Sequence, residues 1–271
     1  MIVIPQFSPI AFTIFGFGVH WYALAYIVSF IIGLFMFKWM ARGWATKDTA
    51  DDLLMYLVLG VILGGRLGYV IFYNLSYYLA HPLEILAIWQ GGMAFHGGLI
   101  GVIIAVWLFC YNRRGVLHTP AGASIEPLQI FDTLSVIFPI GIFFGRIANF
   151  INMEVMGRPT DSTFGVVFYG AADQVARYPS PLFQAALEGA LLFIIMFALW
   201  QFTRLRERTG ALAGIFGMTY AVLRIIGEQF RAPDAHIGFI WGTSWLSMGM
   251  LLSAIMFIAG TAIFACAIKR N

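Results

Sequence analysis

Phe138-Pro-Ile-Gly-Ile-Phe-Phe-Gly-Arg-Ile-Ala-Asn-Phe-Ile151 reads as the closing half of a membrane-spanning helix with a guanidinium, Arg146, set near its end. A charge at bilayer depth costs at least ~2.5 kcal/mol even on the lenient insertion scale, so intramembrane charges are rare and mark sites. The rest of the chain agrees with this reading. Of 271 residues, 61% are hydrophobic and only 11% are charged, whereas soluble domains carry roughly 25% charged residues. A mean hydropathy of +0.84 points the same way. The composition is that of a polytopic membrane protein, read as a single transmembrane domain over residues 1–271.

A span needs about 20 mostly apolar residues. Seven stretches qualify, near 20–38, 53–73, 95–111, 128–150, 182–202, 211–229 and 245–268. The loops between them carry basic residues unevenly. Lys38, Arg42, Lys47, Arg113, Arg114, Arg204, Arg206, Arg208, Lys269 and Arg270, ten of the sixteen, fall on one side. Arg158, Arg177 and Arg231 fall on the other, and Arg66, Arg146 and Arg224 lie in or at the edge of spans. The positive-inside bias makes the ten-residue side cytoplasmic, with the N-terminus outside and the C-terminus inside, which agrees with an odd number of spans. The N-terminus lacks the basic flank and small-residue cleavage site of a removable signal, so the first span is expected to stay in place. Residues 1–18, mixing Pro5, Pro9 and Gly16 with Phe and Ile, are expected as an interfacial arm. The longer connections, 74–94 and 152–181, fall on the outer side. In the second of these, turn residues flank Phe164-Gly-Val-Val-Phe-Tyr169, an apolar run too short to span, which predicts a small extracytoplasmic head. The expected fold class is an all-α polytopic membrane protein of seven transmembrane helices carrying that head.

Several functions are excluded or unsupported. Gly-x-Ser-x-Gly is absent, which removes the nucleophile-elbow hydrolases. His-Glu-x-x-His and clustered cysteines are also absent, so no metal or other cofactor is expected. Cys110 and Cys266 stand far apart without redox spacing and read as small buried residues. The basic stretch Arg204-Leu-Arg-Glu-Arg208 is short and juxtamembrane; it suits anionic lipid headgroups and not nucleic acid. Gly60, Gly64 and Gly68 recur every fourth residue, as do Gly97 with Gly101 and Gly141 with Gly145, giving small faces that admit close helix contact.

The polar residues within the spans recur at helical spacing. Arg146 and Asn149 share a face, with Glu154 and Gly157-Arg158 just beyond the helix end. Tyr220, Arg224, Glu228 and Arg231 are spaced 4, 4 and 3, which aligns them on one stripe of the sixth span. Arg224 and Glu228 can be an ordinary intrahelical ion pair. Yet Arg146, Arg224 and Arg231 outnumber Glu154 and Glu228, which leaves room for an external anion, and a guanidinium fork suits phosphate. His96, in Gly91-Gly-Met-Ala-Phe-His-Gly-Gly-Leu-Ile-Gly101, is either a hydrogen-bonded core residue or a base unshielded by its glycine neighbours. Tyr22 and Tyr26 are either site residues or an interfacial aromatic belt. Arg66 either binds lipid phosphate or satisfies carbonyls. Residues alone suit an enzyme acting on a phospholipid and, almost as well, a lipid or organic-anion transporter. The lack of an internal repeat weakly disfavours the transporter.

At these residues the sequence resembles the bacterial prolipoprotein diacylglyceryl transferases. Gly145-Arg-Ile-Ala-Asn-Phe-Ile-Asn-Met-Glu-Val-Met-Gly-Arg158 is similar to that family's signature, in which Gly-Arg-x-x-Asn-Phe-x-Asn precedes a Glu and a Gly-Arg pair. The resemblance extends to His20-Trp-Tyr22, Gly64-Gly-Arg-Leu-Gly-Tyr69, Gly91 to Leu99, Tyr178 to Glu188, and Tyr220 to Asp234, in order along the chain. It implies transfer of the diacylglyceryl group of phosphatidylglycerol onto the thiol of the lipobox cysteine of a prolipoprotein, at the outer face of the bacterial cytoplasmic membrane. A thioether forms and glycerol phosphate is released. The family's essential positions map to Tyr22, His96, Arg146, Asn149, Glu154, Gly157, Arg224, Glu228 and Arg231. His96 is then the candidate base. Arg146 and Arg224 face the departing phosphate, with Arg231 at the entrance. Tyr22 and Asn149 orient the headgroup, and Glu154 and Glu228 hold the arginines. Gln184 and Glu188 receive only a supporting role. Three departures stand out: Ala148 and Met153 where the family commonly has Gly, and Tyr178-Pro-Ser-Pro where it commonly has His-Pro-Ser-Gln.

Overall fold

The computed structural model describes residues 2–88, 91–113, 125–169, 174–233 and 238–270, apart from the side chains of Lys47, Phe95 and His96. Arg114 and Asp234, and the side chain of the candidate base His96, therefore lie outside the described residues. Among the described residues, six helices are long and apolar enough to cross a membrane, at Trp21–Met40, Asp48–Tyr73, Pro127–Ile151, Ser180–Phe202, Ala211–Glu228 and Met248–Lys269. The protein is a multi-pass membrane protein. The remaining expected span, 95–111, folds as an 18-residue helix, Phe95–Asn112, whose described part from Gly97 is a shorter apolar helix. At 1.5 Å per residue such a helix reaches about 27 Å, just under the ~30 Å hydrocarbon core.

In chain order the helices are α1 (Trp21–Met40), α2 (Lys47–Tyr73), α3 (Leu75–Ala80), α4 (Phe95–Asn112), α5 (Pro127–Ile151), α6 (Ser180–Gln184), α7 (Leu192–Phe202), α8 (Ala211–Glu228) and α9 (Met248–Lys269). A π-helical segment, Ala185–Leu191, joins α6 to α7 within one span. The described residues are mostly helical, consistent with the expected polytopic all-α membrane protein, and include four short strands beside the helices. β1 (Ile2–Pro5) pairs in parallel with β4 (Val166–Tyr169), and β2 (Ile10–Ile14) pairs antiparallel with β3 (Phe17–His20). These β-branched and aromatic runs are too short to cross a bilayer as helices, and strand pairing satisfies their backbone groups instead.

The chain forms two compact units, residues 37–130 and residues 1–36 with 131–271. In the first, α2 lies against α4 along the glycine stripe. A Cβ on Gly60 would stand 2.6 Å from the carbonyl oxygen of Gly101, so the backbones meet at a distance only glycine allows. Thr46 caps α2 by accepting from the Thr49 amide at 3.2 Å.

In the second unit, buried Phe150, Val166 and Phe168 join the end of α5 to the β1–β4 sheet, with Ile4, Met153, Met156 and Leu182 packed around them. This cluster fixes the chain just past Asn149. At the other end of α5, the buried Asp132 carboxylate accepts the Gly210 amide at 2.6 Å and the Ala213 amide at 2.8 Å. Asp132 thus caps α8 from a neighbouring helix, supplying an acceptor and negative charge to amides that have no intrahelical partner.

Candidate active site

The last turns of α5 present Arg146 and Asn149 on one face, where Arg146 Nη1 donates to Asn149 Oδ1 at 3.4 Å. The chain then turns sharply. Met153 and Val155 adopt left-handed backbone, with φ of 55° and 56°, on either side of Glu154. Such a conformation costs roughly 1–2 kcal/mol per non-glycine residue, and for β-branched Val155 it is a marked outlier. The reward is the placement of Glu154, whose Oε2 accepts the Tyr22 hydroxyl at 2.5 Å and Asn149 Nδ2 at 3.2 Å. Asn149 Nδ2 also donates to the Tyr22 hydroxyl oxygen. Tyr22, distant in sequence, therefore joins Asn149 and Glu154 in one hydrogen-bonded triangle. Tyr26 stacks with Phe30 at 6.5 Å between ring centroids.

The centre of the arrangement is a residue to which the family resemblance gives only a supporting role. Glu188 is fully buried and takes Arg146 Nη2 on Oε2 at 3.4 Å and Arg224 Nη1 on Oε1 at 3.1 Å. Arg224 Nη2 also pairs with Glu228 Oε1, which in turn receives Arg231 Nη1 at 3.4 Å. Ser247 Oγ donates to Glu228 Oε2 at 2.7 Å while accepting the Met250 amide at the start of α9. The polar chain runs from Tyr22 through Asn149, Arg146, Glu188, Arg224 and Glu228 to Arg231. Glu188 reaches α5 because the next residue is Gly189: a Cβ there would lie 2.7 Å from Phe143 Cβ, one turn before Arg146.

Counting Glu188 changes the charge balance expected from the sequence. Three arginines are matched in number by three glutamates, two of which, Glu188 and Glu228, pair with them, so the cation excess disappears. An arriving anion would instead find guanidinium N–H groups that the carboxylates engage weakly. Arg146 fits that description, with both contacts at 3.4 Å and a side chain 20% exposed. Arg224 is buried and held by two carboxylates. A guanidinium has five donors in a fixed fork, which lets Arg146 turn a fork toward phosphate while keeping its orienting contacts. Glu154, expected to hold an arginine, contacts Tyr22 and Asn149 instead. Glu228 does hold Arg224 and Arg231.

Gly157 sits where three stretches of backbone cross. Its amide donates to the Tyr178 carbonyl at 2.9 Å, and a Cβ on it would lie 2.5 Å from the carbonyl oxygens of both Tyr178 and Phe230. Arg158 Nε donates to the Arg231 carbonyl at 3.0 Å, tying the signature segment to the chain beyond α8. Gly157 thus acts here through backbone packing. In the other unit, Arg66 is buried and donates to the carbonyls of Ile85, Gly91, Gly92 and Glu84, with its guanidinium 5.1 Å from the Tyr78 ring centroid. Of the two readings of Arg66, the carbonyl-binding one describes this geometry. The side chain staples the segment that leads into α4, at whose first turn His96 lies.

Glu188 carries a sequence signal that could have raised its rank: it is the one acid in the run from Leu182 to Phe202, and an intramembrane carboxylate marks a site by default. Ser247 carries no such signal, since a serine before a helix reads simply as a cap. Among the described residues, the buried side-chain polar atoms without a protein hydrogen-bond partner are Asn152 Oδ1 and both amide atoms of Gln184. Both residues flank this cluster in sequence, at the end of α5 and one turn before Glu188.

Comparison with known proteins agrees with the geometry. The family model described as prolipoprotein diacylglyceryl transferase matches residues 9–266. A phosphatidylglycerol–prolipoprotein diacylglyceryl transferase of Paramagnetospirillum magneticum is 44% identical over 98% of this chain and 96% of its own length. One of Azospirillum brasilense is 45% identical over 99% and 97%, and one of Methylocella silvestris 44% identical over 100% and 97%. The chain therefore belongs to the prolipoprotein diacylglyceryl transferase family.

Proposed function

We propose that the protein transfers the diacylglyceryl group of phosphatidylglycerol to the thiol of a lipobox cysteine in a prolipoprotein, the first step of lipoprotein maturation. The observation that carries this reading is the pair of arginines, Arg146 and Arg224, converging on one buried carboxylate in a chain of this family. In the reaction the thiol sulfur forms a bond to an sp3 carbon of the lipid glycerol. The carbon–oxygen bond to phosphate breaks, the electrons leave with glycerol phosphate, and the thiol proton passes to a base.

Charge develops on the departing phosphate, so donors fixed in advance around it lower the barrier. Arg146, the more accessible guanidinium, takes the phosphate, and Arg224 completes the clamp from a position held by Glu188 and Glu228. Arg231 guides the headgroup at the entrance. Tyr22 and Asn149, braced by Glu154, orient it. His96 is assigned the thiol proton on the family resemblance, with a free thiol pKa near 8.5 to be met. A His96→Gln enzyme whose pH–rate profile is unchanged and whose KM for lipid alone rises would remove the base role.

The charge distribution supports seven crossings with α4 included, the N-terminus outside and the C-terminus cytoplasmic. Residues 1–18 then form an interfacial arm. Residues 74–94 and 152–181 lie on the outer face of the inner membrane, where both substrates are available. A transporter reading has no observation in its favour once the family is taken into account. Purified protein given phosphatidylglycerol and a lipobox peptide is expected to yield the diacylglyceryl thioether. A peptide left unmodified by folded protein would overturn the proposal.

A further inference from the structure

Gln184 closes α6, is fully buried, and has both Nε2 and Oε1 without a protein partner among the described residues. One turn later comes Glu188, on the π-helical segment Ala185–Leu191. A Cβ placed on Gly227 of α8 would stand 3.3 Å from Glu188 Oε1 and 3.4 Å from Gln184 Cγ. Gln184 and the carboxylate oxygen that receives Arg224 therefore both border Gly227 of α8. A buried amide with donor and acceptor both unmet is an expensive defect that folded proteins avoid. A π turn at the same point is an independent mark of a functional site. Methionine or leucine would fill this place in an apolar span without that penalty, so the amide is useful only when something polar meets it.

We propose that the Gln184 carboxamide binds a hydroxyl of the lipid headgroup and thereby selects a glycerol headgroup. This assignment rests on the transferase reading above. Phosphate and ester oxygens only accept hydrogen bonds, and an ammonium headgroup only donates. A hydroxyl does both, and so matches the carbonyl and amino ends of one carboxamide. The headgroup of phosphatidylglycerol carries two hydroxyls on the carbons beyond its phosphate. Gln184 lies one turn from Glu188, the carboxylate that both Arg146 and Arg224 engage, and so belongs to the neighbourhood in which a phosphate held by them would present its headgroup. A site built to hydrogen-bond a hydroxyl rejects the analogue lacking it, because its own polar groups are then left unpaired.

The test compares kcat/KM for phosphatidylglycerol with that for the same lipid whose two headgroup hydroxyls are methyl ethers, in the parent and in Gln184→Met. The ratio is independent of how much enzyme is folded. The parent should prefer the free hydroxyls by about 10- to 100-fold, and Gln184→Met should bring the ratio close to unity. Gln184→Asn, which keeps the amide on a shorter stem, should fall between them. A parent without preference, or variants that keep the parent's ratio, would overturn the assignment. So would loss of all transfer in both variants at the parent's Tm, since a headgroup contact sets the ratio rather than the chemistry. Absence of thioether from the parent with either lipid would instead sink the transferase reading itself.

Discussion

Two arginines that look alike in sequence differ once placed. Arg224 is buried between Glu188 and Glu228, while Arg146 is partly exposed and holds its partners at 3.4 Å. Arg146→Lys keeps the charge and loses the fork, so transfer should fall at least about 100-fold in kcat/KM with little change in Tm. Full activity in that variant would refute the phosphate clamp. Met153 allows an opposite test. Its left-handed backbone suits the glycine common in the family, so Met153→Gly should raise stability by up to about 1 kcal/mol through relief of strain, less the entropy glycine adds to the unfolded chain. A clear drop in Tm would show that the Met153 side chain, packed on the Phe150 cluster, matters more than its φ. Arg146, Asn149 and Arg224 were legible because charged and amide groups stand out in apolar helices. Glu188 stands out on the same ground, yet its weight does not, since nothing local announces that this carboxylate meets an arginine 42 residues away on another helix.

Helix positions were legible from apolar run length alone, because the bilayer dictates it: α5 was expected at 128–150 and spans Pro127–Ile151. The strands were harder. The apolar run ending at Tyr169 signals a strand, but nothing local announces its pairing with Ile2–Pro5. Parallel pairing across such a separation is a tertiary outcome. The cap on α8 was equally hidden, since Asp132 lies on another helix. Asp132→Ala strips acceptors from one buried and one part-buried amide at once and should lower stability by about 1–3 kcal/mol, read as a fall in Tm. Its kcat should stay near the parent's, because Asp132 lies at the end of α5 opposite Arg146. An unchanged Tm would mean that the α8 start finds other acceptors.

Across the whole molecule, each compact unit uses small residues to bring helices together and holds a cluster of polar contacts. In the unit of residues 37–130 these are the Arg66 contacts to carbonyls of residues 84–92. In the other unit they are the Tyr22-to-Arg231 network, built from α1, α5, the π segment, α8 and the segment after it. Charged groups such as the buried Arg224, Glu188 and Glu228 are costly in hydrocarbon, and such groups are kept where they serve a site. The central claim is that the network exists to expel a lipid phosphate while a thioether forms. Its most direct test is to reconstitute the purified protein in phosphatidylglycerol vesicles with a lipobox peptide and quantify glycerol phosphate and thioether peptide together. The account predicts that they appear one for one. Glycerol phosphate without thioether, or lipid crossing the bilayer with neither product formed, would contradict it.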